Sequence, residues 1–281
     1  MIDRRELLSA SAALCASAAA GGGQEPSERL PVLFVSHGAP DVALDPRRGA
    51  EWGDWAASLI PPRALLVVSA HWEATPLRLG TVETRPLLYD FGGFDPALRE
   101  LRYAAPGAPR LAERVARLLG TEPTPTQRAW DHGVWVPLLH MFPRADVPVL
   151  QLSLPTRMPA RELVELGARL APLRDEGVLL IASGGLVHNL RHALTRGADP
   201  TPAWATDFEA WVRDTLARQD EDELVDYRRR APGLRESHPS EEHFLPLLLA
   251  AGAAREPSLA PRAKVEGFER SSLSRLCLEL G

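Results

Sequence analysis

The 281-residue chain has two cysteines, Cys15 and Cys277, and the first lies in a segment read below as removable. One remaining thiol makes no internal disulfide, and a thiolate metal site lacks its second sulfur. Any bound metal must therefore rely on histidine and carboxylate. There is no basic run, and the net charge of −5 speaks against nucleic acid or an anionic membrane surface as the main partner. No apolar stretch is long enough for a membrane span. The Gly-x-Ser-x-Gly elbow, the phosphate-binding P-loop, the Gly-x-Gly-x-x-Gly fingerprint and the His-Glu-x-x-His helix are all missing, which removes the usual support for serine hydrolase and nucleotide-binding functions. What remains is 45% hydrophobic and 25% charged, ordinary for a globular protein and ample for a real core.

The first thirty residues look like targeting rather than fold. Arg4-Arg5 supplies a positive start, residues 7–20 are alanine-rich and mildly apolar, and Ala18-Ala19-Ala20 offers small residues for cleavage. Residues 3–8 resemble a twin-arginine export signal, and residues 21–27 form a flexible linker. Residues 1–29 are thus expected to be an export signal and linker that send the protein to the periplasm; without such a signal it would stay cytoplasmic. Residues 30–281 are expected to be the folded domain.

Within that domain, apolar runs stop at histidines. Residues 33–38 read Leu-Phe-Val-Ser-His-Gly, residues 65–72 read Leu-Leu-Val-Val-Ser-Ala-His-Trp, and a run from 178 to 183 leads to His188. Helices are expected over 48–59, 108–119, 134–142 (despite Pro137), 161–173 and around Trp204 to Leu216. Strands are expected at 64–70, 77–82, 148–154 and 178–183. The alternation of strand and helix predicts an α/β fold, a central mostly parallel sheet flanked by helices, with a ligand site at the carboxyl rim of its strands. The aromatic and glycine-rich stretch 89–96 should be a loop over a binding site. Residues 218–230 are read as a solvated face or loop, Ser240 as a helix N-cap before 245–251, and 264–280 as an edge strand plus a terminal helix.

A single histidine is ordinarily a hydrogen-bonded structural residue. His37, His71 and His188, each beyond an apolar run, are expected to converge on one metal. Imidazoles suit iron, zinc, copper and nickel alike, and Glu241 or Glu242 beside His243 offers a carboxylate for a two-histidine, one-carboxylate site. His140 and His192 are left as structural.

Six segments occur in order: Ser36-His37-Gly38-Ala39-Pro40, Ser69-Ala70-His71-Trp72, Tyr89-Asp90-Phe91-Gly92-Gly93-Phe94, Asp131-His132-Gly133-Val134-Trp135, Val187-His188-Asn189-Leu190 and Glu242-His243-Phe244-Leu245-Pro246-Leu247. Together they resemble the DOPA 4,5-dioxygenase-like branch of the class III extradiol ring-cleaving dioxygenases. The resemblance implies a single α/β domain with one divalent metal per chain, Fe(II) for activity and Zn(II) as an ion the isolated protein can hold. It implies metal ligation by His37, His71 and His243, with His188 beside the metal as acid/base and able to ligate. His132 is implied as a catalytic histidine that either stands behind the metal ligands or faces the substrate, with Tyr89, Phe91 and Phe94 as substrate-binding aromatics. The implied reaction is meta-cleavage of a small catechol by O₂ to a ring-opened semialdehyde, by a monomer or small homo-oligomer. A zinc-binding protein of the same fold without oxygenase activity, and a zinc-dependent hydrolase, are the alternatives. Gly92 stands where an aromatic is common in this branch, which affects the expected pocket.

Overall fold

The computed structural model describes residues 29–120, 124–255 and 260–281. The expected export signal falls on residues outside those described. Strands run in the order β1 (Val32–Ser36), β2 (Ala64–Glu73), β3 (Arg78–Leu79), β4 (Thr124–Pro125), β5 (Val149–Leu154), β6 (Val178–Gly184), β7 (Arg262–Val265), β8 (Phe268–Glu269), β9 (Leu273–Ser274) and β10 (Cys277–Leu280). The helices are α1 (Pro46–Ala57), α2 (Pro109–Leu119), α3 (His132–Met141), α4 (Ala160–Leu170), α5 (Leu190–Arg196), α6 (Ala203–Ala217), α7 (Glu221–Val225), α8 (Tyr227–Arg230), α9 (Leu234–Ser237) and α10 (Leu245–Ala253). None of the described helices is long and apolar enough to cross a membrane.

The main sheet has the order β4-β3-β5-β2-β6-β1-β10-β7. Its centre, β5-β2-β6-β1, is parallel throughout. These strands are apolar at nearly every position because both of their faces are covered. Val32 and Phe34, Leu66 and Val68, and Leu180 and Ala182 point into one core with α2, α4, α6 and α10. Their alternates Leu33 and Val35, Leu65 and Val67, and Leu179 and Ile181 point into the other core with α1 and α3. Each such aliphatic side chain contributes about 1.5–3 kcal/mol by leaving water. The expected architecture is therefore the observed one.

The α4–α10 crossing is tight because of two glycines. A Cβ on Gly167 would overlap the Leu249 carbonyl, and one on Gly252 would overlap the Val164 carbonyl. With side chains there, the two backbones would be forced apart and α10, apolar on all sides, would lose its seat.

Several local expectations need correction. Helix α1 begins two residues early, since Pro46 suits the first helical turn and the Asp45 carboxylate accepts from Arg47 N at 3.0 Å. Strand β2 continues through His71 to Glu73, so that histidine lies within the strand. The strand expected over 77–82 shrinks to Arg78–Leu79. Of the solvated face or loop expected over 218–230, the charged residues are largely exposed, but the backbone forms the two short helices α7 and α8, held by buried Leu224 and Tyr227. Ser240 caps no helix; Phe244 occupies the cap position of α10, and the Ser240 hydroxyl instead meets Glu242 Oε1 at 3.1 Å.

The largest difference is the tail, where no terminal helix forms. Residues 262–280 hold the four short strands β7 to β10, with β10 running antiparallel between β1 and β7. Cys277 enters one core while Leu278 and Leu280 enter the other, a period of two that a helix cannot satisfy. Arg270 and Ser271, both at positive φ, turn β8 back into β9.

Candidate metal centre and its surroundings

Strand β1 ends at Ser36 and delivers His37 at its carboxyl edge, where His37 N donates to the Gly184 carbonyl at 3.0 Å. Neighbouring β2 carries His71. Nε2 of His71 lies 3.0 Å from Nε2 of His37 and 3.3 Å from Nε2 of His243. The ring of His37 is 1% exposed and that of His243 4%.

The protons on these rings can be assigned from their neighbours. Ser183 Oγ donates its only proton to the Gly133 carbonyl at 2.5 Å, so toward His37 it can only accept. His37 Nδ1–H therefore donates to Ser183 Oγ at 2.9 Å, and Nε2 is left with a bare lone pair. His243 Nδ1–H donates to the Glu242 carboxylate at 2.9 Å, which bares its Nε2 in the same way. His71 Nδ1 faces an Asp90 oxygen at 3.6 Å. The bare Nε2 lone pairs of His37 and His243 both face Nε2 of His71, a cluster of nitrogens that a cation would draw together, and imidazoles backed by oxygen acceptors are the usual way to hold one. The donor set fits a divalent metal.

Electrostatics agree with neutral rings. Burial, reinforced by the other imidazoles, holds His37 and His243 well below the usual histidine range. Burial, then His132, brings His71 down to about 4. All three keep their lone pairs at neutral pH, as metal binding requires.

His188 arrives by another route. Three residues separate it from the end of β6, and that connection is laced to the segment before α10. Gly185 N donates to the His243 carbonyl at 3.0 Å, and His188 N donates to the Ser237 carbonyl at 2.9 Å. Ser36 Oγ accepts from Leu186 N at 3.2 Å. The chain can pass this close only because residue 184 is glycine, since a Cβ there would strike the His243 carbonyl. As a result the His188 ring lies flat on His243, centroids 3.5 Å apart and planes within 10°. Burial, then His238, lowers His188 to about 3.

His132 opens α3. Its Nδ1 donates to Asp90 Oδ1 at 2.8 Å, and its ring lies 4.0 Å from that of His71 by centroids. Phe91 meets His132 edge-on at 5.7 Å and packs on Phe94 and Trp135. Tyr89 stacks edge-on against Phe91, while its hydroxyl is bonded to the Leu101 carbonyl at 2.7 Å. The expected aromatic loop thus lies beside the histidines, with Phe94 at its exposed end. A side chain at Gly92 would meet nothing within 4 Å, so the missing aromatic leaves open space.

Among the described residues, the candidate groups for a cation are His37–His71–His243, His71–Asp90–His132 and His188–Glu242–His243. Glu241 turns away to Tyr227 and Arg228, at 2.5 and 2.6 Å. Glu242 stands behind His243. His140 donates to the Val42 carbonyl beside Trp52, and His192 packs on Trp204; neither joins the convergent set.

Sequence reasoning passed over the residues that hold the histidines. Asp131, fully buried, accepts from Ser69 Oγ at 2.7 Å and from Gln151 Nε2 at 2.6 Å, and Ser69 Oγ in turn accepts from His71 N at 3.2 Å. Ser69 and Ser183 sit opposite each other in the β2–β6 register. A serine ending an otherwise apolar strand was the available signal.

The family model described as the catalytic LigB subunit of aromatic ring-opening dioxygenase matches residues 41–272. A 4,5-DOPA dioxygenase extradiol from Escherichia coli (strain K12) is 42% identical over 264 residues, spanning 91% of this chain and 96% of that one. One of the same name from Beta vulgaris is 39% identical over 237 residues, spanning 81% and 88%. A crystal structure of an uncharacterized protein from Escherichia coli K12 superposes with a TM-score of 0.74 at 38% identity, covering 90% of this chain and all of that one.

Proposed function

The chain belongs to the LigB family of aromatic ring-opening dioxygenases, in its DOPA extradiol dioxygenase-like branch, and from that premise we propose that it cleaves a catechol in the meta position with O₂ to give a ring-opened semialdehyde. The observation that carries the proposal is the convergence of three imidazole Nε2 atoms, with 3.0 and 3.3 Å between neighbours. His37, His71 and His243 would hold the metal. A divalent metal there supplies Lewis acidity with positions open to reactants, and iron(II) adds electron transfer to O₂.

The chain's own residues do the rest. His188, held flat against His243, would take a proton from a catechol hydroxyl and return it during ring opening. His132, fixed by Asp90, lies with its ring 4.0 Å from that of His71, where it would accept from or orient the substrate. Phe91 and Phe94 form an apolar wall for the ring, and Tyr89 braces that wall through its bond to Leu101. Because two relatives are named for 4,5-DOPA, DOPA is the first catechol to try.

The test is anaerobic reconstitution with Fe(II) or Zn(II), followed by a catechol panel under O₂. We expect stoichiometric O₂ uptake and a yellow product with Fe(II) only. Turnover with Zn(II) but not Fe(II) would replace this reading with a hydrolase. Absence of turnover with either metal would favour a zinc-binding protein. Periplasmic export through residues 1–29 is part of the same proposal, and mass spectrometry finding Met1 intact on the mature protein would refute it.

A further inference from the structure

The loop bearing the aromatic wall also reaches into the histidine cluster. Leu88 N donates to the Trp130 carbonyl at 2.9 Å, and the Leu88 carbonyl accepts from Trp135 Nε1 at 3.1 Å. On the other side of Asp90, the Phe91 carbonyl accepts from Arg99 Nη2 at 3.2 Å. The backbone is thus pinned on both sides of Asp90, whose side chain turns inward and is 18% exposed. Its Oδ1 accepts from the backbone N of His132 at 3.1 Å and from that ring's Nδ1 at 2.8 Å. Its Oδ2 faces Nδ1 of His71 at 3.6 Å.

A carboxylate can only accept, and a neutral imidazole has one proton to give. At His132 the 2.8 Å contact fixes the proton on Nδ1; at His71 the carboxylate oxygen lies beyond hydrogen-bond distance and acts as a charge favouring the same tautomer, with Nε2 bare. For His71 that is the nitrogen facing His37 and His243.

We propose that Asp90 is a positioning residue serving two histidines at once: a single carboxylate on the aromatic loop holds His71 and His132 in the tautomer that presents Nε2. The inference rests on the metal-site reading above and adds to it a coupling between the substrate loop and the metal. By linkage, whatever the loop contributes to metal affinity, the metal returns as stability of the loop. Gln, Ser or a backbone carbonyl would satisfy one histidine. A two-oxygen acceptor placed between the rings satisfies both.

The experiment measures Zn(II) affinity by chelator competition and ring tautomers by ¹⁵N NMR of histidine-labelled, metal-free protein. In the wild type we expect His71 and His132 protonated on Nδ1. Asp90→Asn keeps the shape but turns one of the two oxygens into a donor. We expect it to weaken Zn(II) binding about ten- to a hundredfold and to shift the His71 proton to Nε2. Asp95→Asn is the control for general disturbance of the loop, since Asp95 only caps the turn at Ala97; its Zn(II) affinity should match wild type. A wild-type His71 already protonated on Nε2 would overturn the proposal without any variant. So would an Asp90→Asn affinity within twofold of wild type, or a weaker affinity with unchanged tautomers, which would reduce Asp90 to a nearby charge. None of these readouts depends on ring cleavage. A failed catechol panel beside a positive Asp90 result would sink the enzyme function alone.

Discussion

In β1, β2 and β6 the early residues are mostly Val, Leu, Ile and Phe, shared alternately between two dry cores, whereas the carboxyl-terminal parts of the same strands lead into Ser36-His37, Ser69-Ala70-His71 and Ser183-Gly184. The first half stabilises by area removed from water, which is non-directional and tolerates a change of shape. The second half works by direction. Ser183 serves His37, Ser69, itself held by Asp131, serves the His71 backbone, and Ser36 holds the connection that leads to His188. Losing a side chain from the apolar end should therefore cost stability and spare the site, while losing one from the polar end should cost the site and largely spare stability.

The strongest break in that contrast comes from the site itself. His71→Ala should reduce activity by about a thousandfold or more and leave the metal poorly held, with the circular dichroism of the folded protein retained. Metal analysis and kcat/KM check it; loss of the fold in this variant would erase the distinction. Leu180→Ala tests the opposite end of the neighbouring strand. It should cost about 2–5 kcal/mol in urea unfolding, while the folded fraction binds Zn(II) within about twofold of wild type. Ser183→Ala falls between them. His37 loses the acceptor that fixes its tautomer, so metal affinity should drop about ten- to a hundredfold, yet stability by only about 1 kcal/mol. Equal losses in both measurements would show that the strand ends are ordinary core.

How far these two halves were legible follows from the same physics. An apolar run leaves its mark in consecutive residues, so the parallel centre of the sheet and the histidines at His37 and His71 could be read directly, and six short segments in order carried His243, His188 and His132. The supports could not. Ser183 meets His37 across 146 positions and Gln151 meets Asp131 across 20, contacts set only by tertiary packing. Asp90 looked like one polar residue in a loop, because nothing in Tyr89-Asp90-Phe91 tells which way its side chain turns. The tail misled for a different reason. Strands as short as Phe268–Glu269 and Leu273–Ser274 are too brief to show a period, and β10 exists because β1 offers it an open edge.

His238 crosses the boundary between the halves, and it carries the smallest expected effect. It lies in sequence between His188 and His243, yet it behaves as core. The ring is 3% exposed, edges Phe208 at 5.2 Å, and donates from Nε2 to the Leu186 carbonyl at 2.7 Å, while Nδ1 has no partner. Burial, only partly offset by the Leu186 bond, lowers its pKa from 6.5 to about 4. The folded form thus resists a proton that the unfolded chain accepts readily. Its contribution is complete above pH 6.5 and is lost as the pH falls toward 4. Between pH 7 and pH 6 the loss from this one group should be about 0.7 kcal/mol. His238→Gln keeps a donor for Leu186 and removes the titration, so its urea-unfolding free energy should decline by about that much less than the wild type's over the same interval. Parallel declines in the two proteins would mean that His238 is hydrated in the fold, and that the polar end of the strands reaches further into the core than its geometry indicates.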